Sequence, residues 1–189
     1  MNIQHHLEQT GAHLKGHFLL SSGLHSDQYF QCAKLLQYPD LAEQAGAALA
    51  EIFKTEPVDV VVAPAMGGLI IGHEVARALG VRFVFGERAG EENKLAIRRG
   101  FEITPGERVL LVEDVITTGG SILELRDLIT SFGGKIAGFA SVVDRTSQPV
   151  DFGAPYRALI KVRVNTYKPD SCPFCAQGSK PVKPGSRKI

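Results

Sequence analysis

Two adjacent acidic residues, Glu113 and Asp114, stand in the most distinctive stretch of this sequence. They follow the apolar run 109–112 and precede a turn of small residues, 117–121, with the sequence TTGGS. A continuous apolar run is typical of a parallel strand buried on both faces. In a glycine-rich turn between such a strand and a helix, backbone N–H groups converge on an anion, and the hydroxyl groups add donors. The stretch therefore predicts a phosphate-binding turn.

The two carboxylates suit another part of the same ligand. They cannot hold a phosphate themselves, but carboxylates accept hydrogen bonds from hydroxyl groups and coordinate hard divalent cations. A phosphorylated sugar that carries a divalent cation would use both the turn and the acids. The alternative is an ordinary strand–turn–helix corner, although an acid pair followed by such a run of small residues is uncommon by chance.

The stretch 109–121 closely resembles the phosphoribosyl diphosphate (PRPP) signature of type I phosphoribosyltransferases. The resemblance implies their α/β fold, with a mainly parallel central sheet flanked by helices and a small hood made of the N-terminal segment and the C-terminal tail. It implies Mg²⁺ as the cofactor, bound mainly through PRPP rather than by protein side chains. The residues that it assigns to PRPP are Glu113, Asp114, Val115, Ile116, Thr117, Thr118, Gly119, Gly120 and Ser121.

Length and composition indicate one globular domain of 189 residues, and the resemblance divides it into a hood over about 1–38, a core over about 39–167 and an irregular tail over about 168–189. Hydrophobic residues make up 44% and charged residues 22%, and the net charge of +1 gives no sign of a nucleic-acid partner. No apolar run approaches the roughly 20 residues of a membrane span, and the first residues lack a secretory signal. We therefore expect no membrane partner and a cytoplasmic protein.

Strands and helices alternate along the predicted core. Apolar spacing predicts helices over 39–53, 69–79 and 122–132, with Ile52 on the buried face of the first. Strands are predicted over 58–63, 82–87, 97–103, 109–112, 135–143 and 158–164, with two more inside 18–31. Such alternation favours a mainly parallel sheet whose ligands bind beyond the carboxyl ends of the strands. Loops 64–68, 88–98 and 113–121 should meet there.

Several common catalytic motifs are missing. Residues 67–72 have the glycine spacing of a P-loop, but His73 and Glu74 stand where Lys and Ser or Thr are required. His73 and Glu74 do not begin an H-E-x-x-H zinc motif either, because Arg77 fills its last position. No G-x-G-x-x-G or G-x-S-x-G motif occurs. NTPase, dehydrogenase, hydrolase and metalloprotease functions lose their main support.

The loop 64–68 follows a predicted buried strand and contains two glycines. On its own it is equally well a packing turn between strand and helix. By the family resemblance it is the pyrophosphate-binding loop, in which glycines let backbone amides approach an anion closely. The residues assigned to it are Ala65, Met66, Gly67 and Gly68.

The charged segment 88–98 has no clean period and predicts a mobile loop. Such runs are usually solvated surface. By the resemblance, the loop closes over the site, excludes water and brings cations to the departing pyrophosphate. Arg88 and Lys94 match the family positions best, with Lys94 catalytic beside Glu113 and Asp114, while Arg98 and Arg99 fit less well. The resemblance also implies a homodimer in which this loop serves the neighbouring site.

Arg145 follows the predicted strand 135–143 on the ligand side of the sheet. It could simply pair with Asp144 on the surface. An arginine fork there also suits a planar carboxylate, and orotate carries one whereas purine bases do not. The whole chain is similar to the short-loop bacterial orotate phosphoribosyltransferases, which implies transfer of ribose 5-phosphate from PRPP to orotate in UMP biosynthesis. Orotate is then assigned to Thr117, Arg145, Tyr29 and Phe30, the last two being otherwise core aromatics.

Other functions remain open. A purine phosphoribosyltransferase would use the same PRPP site with another acceptor, and a PRPP-sensing regulator would keep the fold without catalysis. Two family lysines are missing, because Ser21 stands at one position and Gly67, preceded by Met66, at the other. Arg88 and Lys94 would then neutralise more of the diphosphate charge.

Cys172 and Cys175 form a C-x-x-C motif near the end of the chain. One such motif is half of a zinc site, and every histidine lies far away in sequence, so folding would have to complete the site. A redox pair is a further possibility, although the motif does not open a helix after a strand. The sequence favours a structural or neutral segment over zinc.

Overall fold

The computed structural model describes residues 1–20 and 22–184 of the chain. Its strands are β1 (His13–Leu19), β2 (His25–Phe30), β3 (Val60–Pro64), β4 (Arg82–Ala89), β5 (Lys94–Ile97), β6 (Arg108–Ile116), β7 (Lys135–Asp144), β8 (Tyr156–Lys161) and β9 (Thr166–Tyr167). Its helices are α1 (Ile3–Gln9), α2 (Ala33–Leu36), α3 (Pro39–Phe53), α4 (Gly68–Leu79), α5 (Gly120–Ser131) and α6 (Pro173–Ala176), with a 3₁₀ turn over Pro169–Ser171.

A six-stranded sheet forms the centre of the molecule, in the order β5-β4-β3-β6-β7-β8. Neighbouring strands are parallel except for β4 and β5, which are antiparallel. This confirms the predicted α/β fold with a mainly parallel sheet. Strand β6 lies between β3 and β7, so the stretch with the acid pair runs through the middle of the sheet.

Side chains of β6 alternate between two hydrophobic cores. Leu110 and Val112 join the core that contains α3 and α4, whereas Val109 and Leu111 join the core that contains α5. All four are fully buried. A strand covered by helices on both faces has no solvent side, which explains why its sequence is continuously apolar rather than alternating.

Helices α3 and α4 pack very closely. Gly46 of α3 faces the backbone of Glu74 on α4, and a Cβ atom at position 46 would lie 2.5 Å from the Cβ of Glu74 and 2.7 Å from its carbonyl carbon. Helix α4 ends as the sequence predicts, since Gly80 adopts the left-handed conformation with φ of 70°. On α3, the prediction for Ile52 is wrong, because its side chain is 41% exposed.

A second, three-stranded sheet forms the hood, in the order β1-β2-β9. Strand β2 confirms one of the two strands predicted inside 18–31, whereas β1 begins at His13 and overlaps that range only at Phe18 and Leu19. The C-terminal strand β9 pairs antiparallel with β2, with Ser26 opposite Thr166. Farther on, the N–H of Val182 donates to the carbonyl of His17, and the N–H of Leu19 donates to the carbonyl of Val182. The hood therefore joins the two ends of the described chain.

Two predictions for this region are wrong, because residues 88–98 do not form a loop throughout and the strand predicted over 97–103 is replaced by β5, which ends at Ile97. Strand β4 continues to Ala89 and turns back into β5 as an antiparallel hairpin, with Ala89 opposite Lys94. Gly90 and Asn93 take positive φ values of 69° and 51° in the turn, and Leu95 is buried. The sequence gives little sign of the hairpin, because most of its residues are charged or polar and a single buried leucine in a short strand produces no clear hydrophobic periodicity.

No helix in the described part of the chain is both long enough and apolar enough to cross a membrane.

Replacing Gly46 with alanine should destabilise the protein. Alanine normally stabilises a helix by about 1 kcal/mol relative to glycine, but the added methyl group would overlap the backbone of α4, which costs about 1–3 kcal/mol. We expect a lower midpoint of thermal unfolding for Gly46→Ala, measured by circular dichroism. The control is Gln44→Ala on the exposed face of α3, which should not lower the midpoint. An unchanged midpoint for Gly46→Ala would show that the helices can separate without loss.

Candidate active site

The acid pair lies inside β6 rather than after it, because the strand continues to Ile116. The Oδ1 atom of Asp114 accepts a hydrogen bond from the N–H of Val115 at 2.8 Å. Burial raises the pKa of Glu113 well above its usual value, and the charge of Asp114 raises it further. Burial also raises the pKa of Asp114, although hydrogen bonds oppose the change. A cationic ligand beside the pair would relieve this uncompensated negative charge.

The turn after β6 forms a small cradle of about 80 Å³. Its lining consists of Glu113, Val115, Ile116, Thr117, Thr118, Gly119, Gly120, Ser121 and Ile122. Gly119 caps helix α5 in the left-handed conformation with φ of 79°, which a side chain would disfavour. The N–H groups of the first turn of α5 therefore lie at the cradle. Their partial positive charge makes it suitable for a phosphate.

A larger cavity of about 620 Å³ adjoins the cradle and shares Val115, Thr117 and Thr118 with it. The end of β6 forms one wall, the hood forms another, and the segment after β7 forms a third. Its remaining lining residues are Leu20, Ser22, Leu24, Tyr29, Phe30, Gln31, Cys32, Asp114, Arg145, Ser147, Val164 and Thr166. One sugar phosphate and one planar base could thus occupy adjoining spaces.

Arg145 lines this cavity but does not form the predicted alternative ion pair. Asp144 instead pairs with Lys161, at 3.1 Å between Oδ2 and Nζ. The Nε atom of Arg145 is buried and has no hydrogen-bond partner in the described part of the chain. Burial lowers the pKa of the guanidinium group, against the opposing effect of Tyr29 and Asp27. Burying a charged donor without a partner costs free energy. An anion bound in the cavity beside Arg145 would lower this cost.

Tyr29 and Phe30 both line the cavity, as predicted for residues that cover a base. Phe30 is only 5% exposed and also belongs to the hydrophobic core, where it stacks on His13 with 4.4 Å between ring centroids. The guanidinium carbon of Arg145 lies 5.8 Å from the centroid of the Phe30 ring. For Phe30, core packing and cavity lining are therefore compatible. Burial raises the pKa of the Tyr29 hydroxyl.

The loop predicted to bind pyrophosphate lies directly against the acid pair. A Cβ atom at Gly67 would come within 2.6 Å of Oδ1 of Asp114, so only glycine fits without displacing that carboxylate. A Cβ at Gly68 would similarly lie 2.9 Å from that of Ala63. The Ala65–Met66 peptide bond is cis, and the side chain of Met66 is 80% exposed. Two loops far apart in sequence thus share one edge of the sheet.

Arg88 and Lys94 do not line either cavity as these are defined by the described residues. The guanidinium group of Arg88 donates to the carbonyl of Asn93 and lies 2.9 Å from a carboxylate oxygen of Glu124 on α5. Lys94 is exposed and lies 2.5 Å from Glu92. Their assignment to PRPP stays a prediction, and it requires either hairpin movement or a site in a neighbouring chain.

Arg98 and Arg99 also lie away from the cavities. Both interact with Glu87 on β4, at 3.6 Å and 2.8 Å. Ser21, where the family lysine is missing, lies outside the described residues, as does part of the C-terminal tail.

Sequence reasoning missed several lining residues. Ser147 could have been found, because it follows Arg145 closely on the ligand side of the sheet. Val164 and Thr166 could not, because only the pairing of β9 with β2 brings them to the hood. Cys32 is buried beside the acids, and burial raises its pKa well above the usual value. Nothing in its sequence context indicated that position.

Comparisons with known proteins agree with this geometry. The profile of the phosphoribosyl transferase domain family matches residues 31–166. The orotate phosphoribosyltransferase of Caldanaerobacter subterraneus subsp. tengcongensis is 53% identical over 175 residues, covering 93% of this chain and 91% of the relative. That of Pelotomaculum thermopropionicum is 53% identical over 182 residues, covering 96% and 95% of the two chains.

A solved structure gives the same result for the fold. The crystal structure of orotate phosphoribosyltransferase from Aeropyrum pernix superposes with a TM-score of 0.71 at 25% identity, covering 86% of this chain and 94% of that one. The profile match includes the acid pair, the phosphate cradle and Arg145. With its type I phosphoribosyltransferase fold, the chain belongs to the phosphoribosyltransferase family.

Proposed function

We propose that this protein is an orotate phosphoribosyltransferase, a pentosyltransferase of de novo pyrimidine biosynthesis. It transfers the ribose 5-phosphate group of PRPP to orotate and yields orotidine 5′-monophosphate and pyrophosphate. The observation that carries the proposal is Arg145, which lines the cavity beside the cradle and whose buried Nε has no partner among the described residues. Two relatives that share about half of their residues with this chain are named orotate phosphoribosyltransferase.

Two neighbouring parts of the chain, the turn 117–121 and the acid pair before it, would bind PRPP. The N–H groups and hydroxyl groups of 117–121 would hold the 5′-phosphate in the cradle. Glu113 and Asp114 would accept hydrogen bonds from the ribose hydroxyl groups. Val115 and Ile116 connect the acid pair to the turn 117–121. They fix the distance between these two parts of the site, because both residues belong to strand β6.

The reaction exchanges one bond at the anomeric carbon. A nitrogen of orotate forms a bond to this carbon while the bond to the pyrophosphate oxygen breaks, and that bonding electron pair leaves with pyrophosphate. Positive charge grows on the ribose ring, where Glu113 and Asp114 stabilise it. The reacting nitrogen of orotate is already acidic, so its proton passes to water or to the departing pyrophosphate and no strong protein base is required. Positioning and electrostatics then supply most of the catalysis.

The donor set fits Mg²⁺ that arrives with PRPP. Two neighbouring carboxylates with raised pKa values stand at the end of β6, and carboxylate oxygens are suitable ligands for this ion. Two residues cannot fill an octahedral shell, so diphosphate oxygens and water would supply the other ligands. When bound, the ion neutralises charge on the diphosphate. Glu113 and Asp114 also orient the ribose, and Gly67 keeps the space beside Asp114 open.

The leaving group needs further cations, which the hairpin β4–β5 could provide. Lys94 is exposed on it, and Arg88 lies near its turn. In a homodimer the hairpin of one subunit would reach the site of its partner. Support comes from the position of both side chains outside the cavities of their own chain.

Arg145 also favours orotate over a purine. A hydrogen bond to a charged group contributes about 1.5–3 kcal/mol, and a base without a carboxylate would leave the guanidinium group buried without an acceptor. Thr117, Tyr29 and Phe30 would orient the base, because all three line the cavity with Arg145.

The proposal is tested by a Mg²⁺-dependent assay of orotate loss in the presence of PRPP. Orotate should be consumed, with adenine and hypoxanthine unchanged under the same conditions. Turnover of a purine alone would establish the purine enzyme instead. PRPP binding without any product from the three bases would support a regulator.

Replacing Asp114 with asparagine should lower turnover about 10- to 100-fold, because a charged stabilising interaction of about 1.5–3 kcal/mol is lost. Burial raises the pKa of this carboxyl, so its charged form is disfavoured in the folded protein. The neutral variant should therefore unfold at a midpoint no lower than wild type. Both quantities are measured on purified protein, by steady-state kinetics and by thermal melting. The control is Asp127→Asn on the exposed face of α5, which should leave turnover unchanged. Normal turnover in Asp114→Asn would refute the catalytic role of Asp114.

Replacing Arg145 with alanine should raise the orotate KM about 10- to 100-fold and leave the PRPP KM nearly unchanged, because only the base lies against the guanidinium group. Initial rates at varied concentrations of each substrate measure the two constants. Arg157→Ala, which removes an exposed arginine of β8, should alter neither. Equal changes in both KM values would mean that Arg145 supports the cavity in general.

Replacing Lys94 with alanine should lower turnover, since pyrophosphate leaves without its cation. Mixing this variant with Asp114→Asn should restore about a quarter of wild-type activity if the hairpin acts across a dimer, because half of the dimers are then mixed and each holds one intact site. The activity of unfolded and refolded mixtures measures this recovery. Without recovery in a mixture shown to contain hybrid dimers, the site must be built within one chain.

A further inference from the structure

Two histidines and two cysteines meet inside the hood, away from the catalytic cavity. His17 comes from β1, His25 from β2, Cys172 from the end of the 3₁₀ turn and Cys175 from α6. One potential ligand atom from each residue lies within 4.8 Å of all the others. Cys172 follows His17 by 155 positions in the sequence, and Cys175 follows His25 by 150. Folding therefore supplies the two partners that the C-x-x-C motif lacked.

The distances among these atoms approach those of a tetrahedral zinc site. With Zn–N bonds of about 2.05 Å and Zn–S bonds of about 2.3 Å, neighbouring ligands are separated by about 3.3 Å for two nitrogens and 3.6 Å for nitrogen and sulfur. In the hood, Nε2 of His17 lies 3.4 Å from Sγ of Cys172 and 3.8 Å from Sγ of Cys175. Nδ1 of His25 lies 3.3 Å from Sγ of Cys175 and 2.9 Å from Nε2 of His17. These four distances differ from the tetrahedral values by a few tenths of an ångström.

The surroundings hold His17 in the orientation that a metal ligand requires. Its second ring nitrogen, Nδ1, lies 3.2 Å from Oγ of Ser179, and donation to this hydroxyl leaves the lone pair on Nε2. Phe174, between the two cysteines, stacks on the His17 ring at 5.3 Å. His17, His25 and Cys172 are buried, while Cys175 is partly exposed and gives a route of entry. The site thus has oriented ligands, a shielded interior and access.

The chemistry of the ligand set selects the ion. Two sulfurs and two imidazole nitrogens suit Zn²⁺, whereas Mg²⁺ and Ca²⁺ prefer oxygen. Two thiolates and two neutral imidazoles would balance the charge of a divalent ion. Four protein ligands complete a tetrahedron and leave no position for a substrate, which is typical of a structural site.

We propose that His17, His25, Cys172 and Cys175 bind one structural Zn²⁺ ion. The ion fastens the segment 172–175 to the hairpin β1–β2 of the hood. The same hairpin carries Tyr29 and Phe30, so the metal stabilises one wall of the substrate cavity without touching the substrate. The site is independent of the proposed transferase reaction.

Metal analysis of the full-length protein tests this site. Protein prepared under reducing conditions with Zn²⁺ and then freed of excess metal should contain about one equivalent of zinc per chain by elemental mass spectrometry. The double variant Cys172→Ser/Cys175→Ser should lose at least about nine-tenths of it. Cys32→Ser, which removes the buried cysteine outside the cluster, should retain the full equivalent. Equal zinc content in the double variant and wild type would overturn the assignment.

Cobalt replacement keeps the test decisive if the double variant fails to fold. Metal-free wild type titrated with Co²⁺ should develop thiolate-to-cobalt charge transfer and strong visible bands of tetrahedral cobalt, complete at about one equivalent. His25→Ala should weaken Co²⁺ binding at least about tenfold, while His73→Ala on the surface should not. Thermal unfolding of the zinc-loaded wild type should shift downward when a chelator is added. A reduced wild-type protein that shows no cobalt spectrum and no chelator shift would refute the proposal.

Discussion

The burial of β6 on both faces is the constraint on which the rest of the structure depends. Because helices cover both sides of this strand, its end brings Glu113 and Asp114 into a place with little water. Their pKa values rise for this reason. Strand β3, beside β6, ends in the loop that holds Gly67 against Asp114. The sheet thus determines the distance between carboxylates, glycine loop and phosphate cradle before any ligand arrives.

Groups of opposite charge, the acid pair and Arg145, lie at different parts of the cavity. In the described part of the chain the acid pair forms no salt bridge, and the buried Nε of Arg145 has no hydrogen-bond acceptor. The acid pair and Arg145 lie at different parts of one continuous space, so an anionic base would bind at Arg145 beside a phosphorylated sugar whose Mg²⁺ lies at the acid pair. Charged groups that the fold holds in these positions are preorganised for charged substrates. Preorganisation of this sort lowers the reorganisation needed during the reaction.

Local sequence patterns predicted most of the core and the phosphate cradle. The apolar run of β6, the periodicity of α4 and Gly80 at its end each carry a strong local signal. The hairpin β4–β5 was missed, because its pairing depends on turn residues that no hydrophobic period marks. Ile52 was placed on the wrong face, since helix spacing alone cannot show where the neighbouring elements stop. Val164 lies at the cavity only through contacts between distant parts of the chain, which no local pattern contains.

The pairing of β2 with β9 has a consequence for biosynthesis. Ser26 in the hood donates to the carbonyl of Asn165, 139 positions later in the chain. Joining segments so far apart requires closure of a long loop, which is entropically expensive and slow unless the intervening chain has already folded. During translation the three-stranded sheet of the hood can therefore be completed only after β9 has left the ribosome. A ribosome stalled before residue 165 would display the central sheet without its finished hood.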